Sequence, residues 1–489
     1  MEPITHYVGG CPQAPKDEVF SEIRNPATGE LLGRVPADGG EGALAAVEAA
    51  SRAFLDWRRI PAGERIQYLF GFKQLLEANF DEIARTITLE NGKTLAESRG
   101  ELRRGIENVE VACGIPTLMQ GYNLEDIAQG IDEIMIRQPL GVVAIITPFN
   151  FPSMIPLWFL PYALACGNTL VLKPSEKTPL TVTKIIDLLG RLDLPPGVVN
   201  VANGCKGAVD VLLDHPDVRA VSFVGSTPVA KYIYARASAN GKRVQCQGGA
   251  KNHVVVMPDA DAEMTVKIVS DSAFGCAGQR CLAVSTAVTV GEARDHFRDA
   301  IVDVASSLSV GSGLDESVQM GPVITSQSKE RIEGLIEQGV AEGAKAVLDG
   351  RGVKTSTHKN GNFLYPTVLD NVSSGSTLSE TEIFGPVLSL VHVNTIEAAI
   401  ELIAANPYGN ASSIFTSDGA VARKFRYEVP TGNVGVNIGV AAPMAYFPFS
   451  GWKDSFLGVM HGQGRDAVEF YTDKKVVVER WPKNWSRKF

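Results

Sequence analysis

The chain is poor in the features that mark several large protein classes. No run of Lys and Arg exceeds two residues, and Asp plus Glu outnumber Lys plus Arg by 55 to 46. A nucleic-acid surface therefore has no electrostatic support. The seven cysteines, at 11, 113, 166, 205, 246, 276 and 281, are odd in number and form no C-x-x-C. That scatter suits reduced cytosolic thiols and argues against a disulfide framework. The seven histidines show no H-x-x-x-H and join no Cys/His cluster, so a metal centre lacks ligands. The first twenty residues lack the layout of a signal or transit peptide. The apolar stretch 151–167 is interrupted by Pro152, Pro156 and Pro161, which argues against a membrane span. Internal repeats and low-complexity tracts are missing too. The expectation is a soluble cytoplasmic protein, and 489 residues call for two or three lobes.

What is there is strong periodicity. Residues 40–118 read as helices, with apolar residues at three-four spacing in ALAAVEAASRAFLDW and ERIQYLFGFKQLLEANFDEIARTITLE. From 141 the pattern changes to short Val- and Ile-rich runs: GVVAIIT, NTLVLKP, VVNVANG, AVSFVGS and RVQCQG. Helical stretches separate them, which predicts a parallel sheet covered on both faces. A second alternating region runs from about 253 to 440, with HVVVMP, AVSTAVTV, PVLSLVHV and NVGVNIG as strands. The charged tail 466–482 contains the alternating VVVER, either an ordinary edge strand or one that pairs with another subunit.

Several short motifs could carry chemistry. Gly462-Gln463-Gly464-Arg465-Asp466-Ala467 matches G-x-G-x-x-A but lacks a preceding strand and a following acidic residue, so it is a poor phosphate loop. AVSFVGSTPVAKYIY is better: a strand passes through Gly225-Ser226 into a helix whose first amides could hold a pyrophosphate. Lys173 and Glu176 end another strand in the same region and suit ribose hydroxyls; the acid there favours NAD over NADP. Cys281 follows Arg280 in an FGCAGQRCLAV stretch. A neighbouring guanidinium is expected to lower its thiol pKa and favour the nucleophilic thiolate. Cys276 reads as a small packing residue.

Taken together and in order, TPFNFP (147–152), KPSEKTP (173–179), FVGSTPVA (223–230), GGAKNH (248–253), GQRC (278–281), EIFGPV (382–387) and FPFSGWK (447–453) resemble the aldehyde dehydrogenase superfamily over nearly the whole chain. The resemblance implies an α/β fold with three parts. A Rossmann-type NAD-binding domain would span 1–121 and 141–248, a catalytic domain 249–440, and a small β oligomerisation arm 122–140 and 465–489. It further implies Cys281 as nucleophile, with Asn150 and the Cys281 backbone amide as oxyanion hole. Thr147, Phe149, Lys173, Glu176, Lys177, Ser226, Gly248, Glu382 and Phe384 would contact NAD, and a homotetramer built from dimers would follow.

Hydrolytic members of that superfamily carry a glutamate that activates water. The alignment places Gln247 there, 34 residues before Cys281. An amide cannot accept a proton near neutral pH. The acyl acceptor would then be a thiol such as coenzyme A, which is partly thiolate already. The RGIENVE stretch from Arg104, the GAKNH stretch, Arg280 and AAPMAYFPFSGWK resemble the CoA-acylating methylmalonate-semialdehyde dehydrogenase branch. There Arg104 and Arg280 would bind the substrate's distal carboxylate, a pairing guanidiniums suit. The implied reaction is NAD-dependent oxidation of malonate or methylmalonate semialdehyde to acetyl-CoA or propionyl-CoA with loss of CO2. The alternatives are a hydrolytic semialdehyde dehydrogenase and a non-redox CoA acyltransferase or thioesterase. Gly248 stands where close relatives have Thr, which removes a hydroxyl contact to the cofactor.

Overall fold

The computed structural model describes residues 3–353 and 359–481. Two large sheets dominate. The first has eight strands in the order Cys11–Gln13, His6–Val8, Val199–Val201, Thr169–Lys173, Val142–Ile146, Val218–Val224, Arg243–Gln247 and Phe456–Leu457. Its inner strands run parallel, and antiparallel strands cap both edges. The second has seven: Lys345–Leu348, Thr367–Asp370, Val387–Val393, Val284–Val290, Asn252–Val256, Ala411–Phe415 and Asn433–Val436.

The Val- and Ile-rich runs form these sheets because each face finds its own core. In Val142–Ile146, Val143 and Ile145 pack into one apolar cluster, whereas Val142, Ala144 and Ile146 pack into another. Side chains alternate across a strand, so a run buried on both faces reads as nearly continuous apolar sequence rather than as an alternation.

The predicted helical region divides into α1 (Gly40–Trp57), α2 (Ala62–Ala78), α3 (Phe80–Asn91) and α4 (Leu95–Cys113), with a short turn at Ile115–Leu118. Thr94 starts α4 with a capping box: Thr94 Oγ1 accepts from Glu97 N–H, and Glu97 Oε2 accepts from Thr94 N–H. Reciprocal caps satisfy two otherwise orphaned backbone donors. The helix Met154–Ala165 contains Pro161 and is almost wholly buried. Its prolines and its tertiary packing make it a core helix, and no helix among the described residues is long and apolar enough to cross a membrane.

The predicted tail strand is Thr472–Arg480. It pairs antiparallel with Ile131–Pro139, which in turn pairs with Tyr122–Ala128. Both outer strands of this ribbon are edges, and Val476 and Val478 are exposed. Residues 482–489 of the expected arm lie outside the described residues. The hairpin Phe20–Arg24 with Leu31–Pro36 and the N-terminal strands carry too few apolar residues to stand out in the sequence.

Candidate active site

The strand Val284–Val290 follows an unusual connection. After the helix Ala262–Phe274, Cys276, Ala277 and Gly278 take φ values of 52°, 51° and 70°. Left-handed backbone at two non-glycine residues is strained and survives only where surroundings enforce it. At Gly278 a Cβ would lie 2.0 Å from Gly385 O, so only glycine fits. The next residues are Gln279, Arg280 and Cys281. Asn252 and Asn410 each donate from Nδ2 to Cys281 O at 2.8 Å, which fixes the backbone of Cys281.

Cys281 lines a cavity of about 320 Å³ together with Arg104, Arg280, Cys276 and Gln463, against apolar walls such as Phe151, Trp158 and Phe449. Asn150 reaches the same loop, donating from Nδ2 to Gln279 O at 2.9 Å. A buried ion pair holds Asn150 from behind. Lys93 Nζ donates to Asn150 O at 2.5 Å and to Glu101 Oε2 at 2.6 Å, and both side chains are almost fully buried. The other oxygen of Glu101 accepts from Ser153 N–H at 2.8 Å and from its hydroxyl at 2.9 Å.

The expected activation of Cys281 by Arg280 is corrected. The guanidinium turns away to other partners: Nε donates to Cys276 Sγ at 3.2 Å and Nη2 to Glu97 Oε1 at 3.0 Å. Burial and then the Glu382 carboxylate push the Cys281 thiol up to about 12, against smaller pulls from backbone N–H groups and Arg280. Desolvation outweighs a cation that is already neutralised by its own carboxylate. Cys276 likewise is no mere filler, since it lines the cavity and accepts from Arg280.

One face of α4 supplies much of the cavity wall: Glu97, Gly100, Glu101, Arg104, Glu107 and Asn108. Spacings of three and four keep them on one side of the helix. Every carboxylate on this wall is engaged. Glu97 holds Arg280, Glu101 holds Lys93, and Glu107 pairs with Arg104 at 3.0 Å. Arg104 also donates from Nη2 to Pro443 O at 2.7 Å. Sequence reasoning missed Glu97, Glu101, Lys93 and Gln463. The Thr94-x-x-Glu97 box and the polar repeat along α4 were the available signals.

The remaining predicted residues cluster along the carboxyl ends of the first sheet. Thr147 N–H donates to Lys173 O at 3.1 Å. Lys173 Nζ reaches Glu176 at 3.4 Å. Burial would push Glu176 up, but Lys173 and Lys177 hold its carboxyl below the usual range. Lys177 Nζ stands over the Phe149 ring at 5.1 Å, and Phe149 meets Phe384 edge-on at 5.8 Å. Phe384 itself has φ 54°. Ser226 precedes the helix Thr227–Ala239 and makes no side-chain cap, which leaves its hydroxyl for a ligand. Glu382 Oε1 accepts from Ala250 N–H at 3.0 Å, and Gly249 N–H donates to Thr227 Oγ1 at 2.8 Å. Burial pushes Glu382 up to about 7. A Cβ at Gly248 would lie 2.8 Å from Asp454 O and 3.2 Å from Thr227 Oγ1, so a threonine does not fit there without a shift.

These groups match a dinucleotide chemically. An acid beside a lysine suits ribose hydroxyls, a free serine at a helix start suits a pyrophosphate, and a second buried acid at Glu382 suits another ribose. Gln247, at the end of Arg243–Gln247, is 5% exposed, and neither of its amide atoms finds a hydrogen-bond partner among the described residues. The Cβ position of Gly462 lies 3.4 Å from its Nε2, placing Gln247 beside the Gly462-Gln463 turn that walls the cavity.

Comparison with known proteins agrees in scale with this geometry. The aldehyde dehydrogenase family model matches residues 13–477. Malonate-semialdehyde dehydrogenase 2 of Geobacillus kaustophilus (strain HTA426) is 49% identical over 481 residues, covering 98% of this chain and 99% of that protein. The crystal structure of methylmalonate-semialdehyde dehydrogenase from Oceanimonas doudoroffii superposes with a TM-score of 0.97 at 47% identity, over 99% of each chain. A Sinorhizobium meliloti 1021 structure complexed with NAD gives a TM-score of 0.97 at 43% identity, again over 99% of each chain. With the family model matching residues 13–477 and relatives similar over the full length, this chain belongs to the aldehyde dehydrogenase family.

Proposed function

We propose that the protein is an NAD-dependent, CoA-acylating dehydrogenase of malonate semialdehyde or methylmalonate semialdehyde. One observation supports the acylating reading: each carboxylate on the Cys281 cavity wall is held by a cation, and the family resemblance puts the amide Gln247 at the position of the catalytic acid. No wall carboxylate is left to deprotonate water.

In this reading Cys281 Sγ adds to the aldehyde carbon. The amide of Asn150 and the Cys281 backbone N–H stabilise the developing oxyanion, each such donor contributing about 3–4 kcal/mol. Lys93 keeps Asn150 in place from behind. Thr147, Phe149, Lys173, Glu176, Lys177, Ser226, Gly248, Glu382 and Phe384 line the NAD site. NAD, when bound, accepts the hydride that turns the adduct into a Cys281 thioester. The CoA sulfur then takes the acyl group, and the bond to Cys281 Sγ breaks to release the cysteine thiolate. Malonate semialdehyde, NAD+ and CoA together give acetyl-CoA, CO2 and NADH; the methylated substrate gives propionyl-CoA. Arg104 and Arg280 hold the carboxylate that is later lost as CO2.

We assign 1–121 and 141–248 to cofactor binding, 249–440 to catalysis, and 122–140 with 465–489 to subunit contact in a tetramer of two dimers. The exposed valines and open edges of the three-stranded ribbon support that last assignment. A cytoplasmic location fits the seven unpaired cysteines.

The test is product identification with each semialdehyde, with and without CoA. Acyl-CoA and CO2 formed in step with NADH are expected. NADH turnover that is unchanged without CoA, with free malonate accumulating, would refute the acylating mechanism.

A further inference from the structure

Two adjacent buried polar residues close α3, and neither serves that helix. Glu90 is 0% exposed and Asn91 2%. A carboxylate in the last turn of a helix meets the negative end of its dipole, so Glu90 gains nothing from α3 itself. Its partners belong to another helix. Glu90 Oε2 accepts from Leu180 N–H at 2.7 Å, and Oε1 accepts from Thr181 N–H at 2.9 Å. These are the first two amides of the helix Leu180–Leu189, whose own N-cap, Pro179, makes no side-chain cap. A carboxylate at a helix start satisfies orphaned donors and complements the dipole.

That helix begins where the connection 174–179 ends. Lys173, Glu176 and Lys177, proposed above as NAD contacts, lie on or beside this connection. Glu90 therefore anchors the cofactor loop from behind. Asn91 acts on the neighbouring loop. Its Nδ2 donates to Phe149 O at 3.0 Å, and Thr178 Oγ1 donates to the same oxygen at 3.2 Å. One carbonyl is thus shared by α3 and the cofactor loop, and it belongs to the residue before Asn150. Gly92, at φ 95°, then turns the chain so that Lys93 reaches Asn150 O. A Cβ at Gly92 would lie 2.9 Å from the Pro322 ring, so the turn leaves no room for a side chain.

Within the span 90–93, then, Glu90 holds the cofactor loop, Asn91 holds Phe149 and Lys93 holds Asn150. Burying a carboxylate and an amide is costly unless each is bonded, and well-packed apolar side chains generally serve a fold at least as well. The polar groups make sense where loop placement matters. Resting on the NAD-dependent reading above, we propose that Glu90 and Asn91 are positioning residues that couple cofactor binding to the oxyanion site. Glu90 acts through the helix behind the cofactor loop, and Asn91 through the Phe149 carbonyl.

Three variants of the full-length enzyme test this: Glu90→Gln, Asn91→Ala and Thr178→Val. Fluorescence titration gives Kd for NAD. NADH formation at saturating NAD, CoA and malonate semialdehyde gives kcat, and urea unfolding gives the folded fraction. Glu90→Gln turns one acceptor into a donor facing a backbone N–H. It is expected to raise Kd for NAD about tenfold or more, the usual worth of a hydrogen bond to a charged group, with kcat little changed. Thr178→Val removes one hydroxyl and should raise Kd about threefold or more, within the range for a neutral hydrogen bond. It decides the matter by itself where Glu90→Gln does not fold. Asn91→Ala should lower kcat as well, because Phe149 adjoins Asn150. In the Asn91→Ala, Thr178→Val double variant the losses should not add, since both donors serve one oxygen. Folded Glu90→Gln and Thr178→Val enzymes with wild-type NAD affinity, or losses confined to the urea midpoint, overturn the proposal. A wild-type enzyme that binds no NAD overturns the cofactor reading itself, and this coupling with it.

Discussion

Glu97 Oε1 accepts from Arg280 Nη2 at 3.0 Å and from Cys276 N–H at 2.5 Å, so one carboxylate ties a cavity-lining arginine to the strained turn before Cys281. Glu97 also closes the capping box of α4, the helix that carries Arg104. The two guanidiniums are thereby set by a single structural unit rather than by independent surface contacts.

Replacing either arginine should therefore act on recognition more than on chemistry. Arg104→Leu or Arg280→Leu is expected to raise KM for malonate semialdehyde by roughly 10- to 100-fold, as for loss of a charged hydrogen bond. Propionaldehyde should suffer far less. Steady-state kinetics on both aldehydes decide it, and equal effects would remove the carboxylate clamp.

The acylating reading predicts that a base introduced at position 247 restores hydrolysis. Gln247→Glu puts a carboxylate at a site only 5% exposed, where burial raises its pKa toward neutrality. We expect CoA-independent release of free acid to appear or rise at least severalfold, the lower end of general-base effects. Counting free acid and acyl-CoA against NADH, with and without CoA, measures it; no gain in hydrolysis would show that the missing acid is not what withholds water.

The Lys93–Glu101 pair is buried on both sides, with side-chain exposures of 1% and 0%. Glu101→Gln or Lys93→Met leaves one buried charge uncompensated, which typically costs about 3–5 kcal/mol. Because Lys93 also holds Asn150 O, kcat should fall along with the denaturation midpoint. Urea unfolding and kcat measured on the folded fraction separate the two effects. A stable variant with full kcat would detach this pair from the oxyanion site.

The thiol of Cys281 is held up at about 12, first by burial and then by Glu382. A raised thiol pKa means the neutral form persists below it and the thiolate gains with rising pH. In the cofactor-free enzyme, alkylation of Cys281 by iodoacetamide should thus accelerate about tenfold per pH unit from 7 to 10, without a plateau. Peptide mass spectrometry follows the modified cysteine. A plateau near pH 7 would reveal an activated thiolate in the free protein.

Much of the fold can be read from the chain. The runs at 141–147, 168–174 and 220–226 are mostly apolar without alternation, and strands with this signature are buried on both faces, as Val142–Ile146 is between its two cores. The helices up to α4 follow from three-four periodicity. The strands Tyr122–Ala128 and Ile131–Pro139 are foreseen only through the family resemblance, which implies a β arm at 122–140, because no core imposes a pattern on the fully exposed first strand. Within the site, ordered motifs singled out Cys281, Asn150 and the two arginines. Adjacency in sequence misled at Arg280, where a neighbouring cation was taken as a partner for the thiol. The guanidinium instead spans back to Glu97, a residue 183 positions away.

Local chemistry along the chain is enough to decide which segments become strands and helices, and the motif alignment shows that an amide replaces an acid at position 247. Those are properties of side chains and of short-range backbone sterics. Which carboxylates remain free to act, where a cation's charge is spent, and whether a thiol is desolvated depend on distances between residues far apart in the chain. Folding sets those distances, and with them the dielectric surroundings that give Cys281 and Glu382 their character.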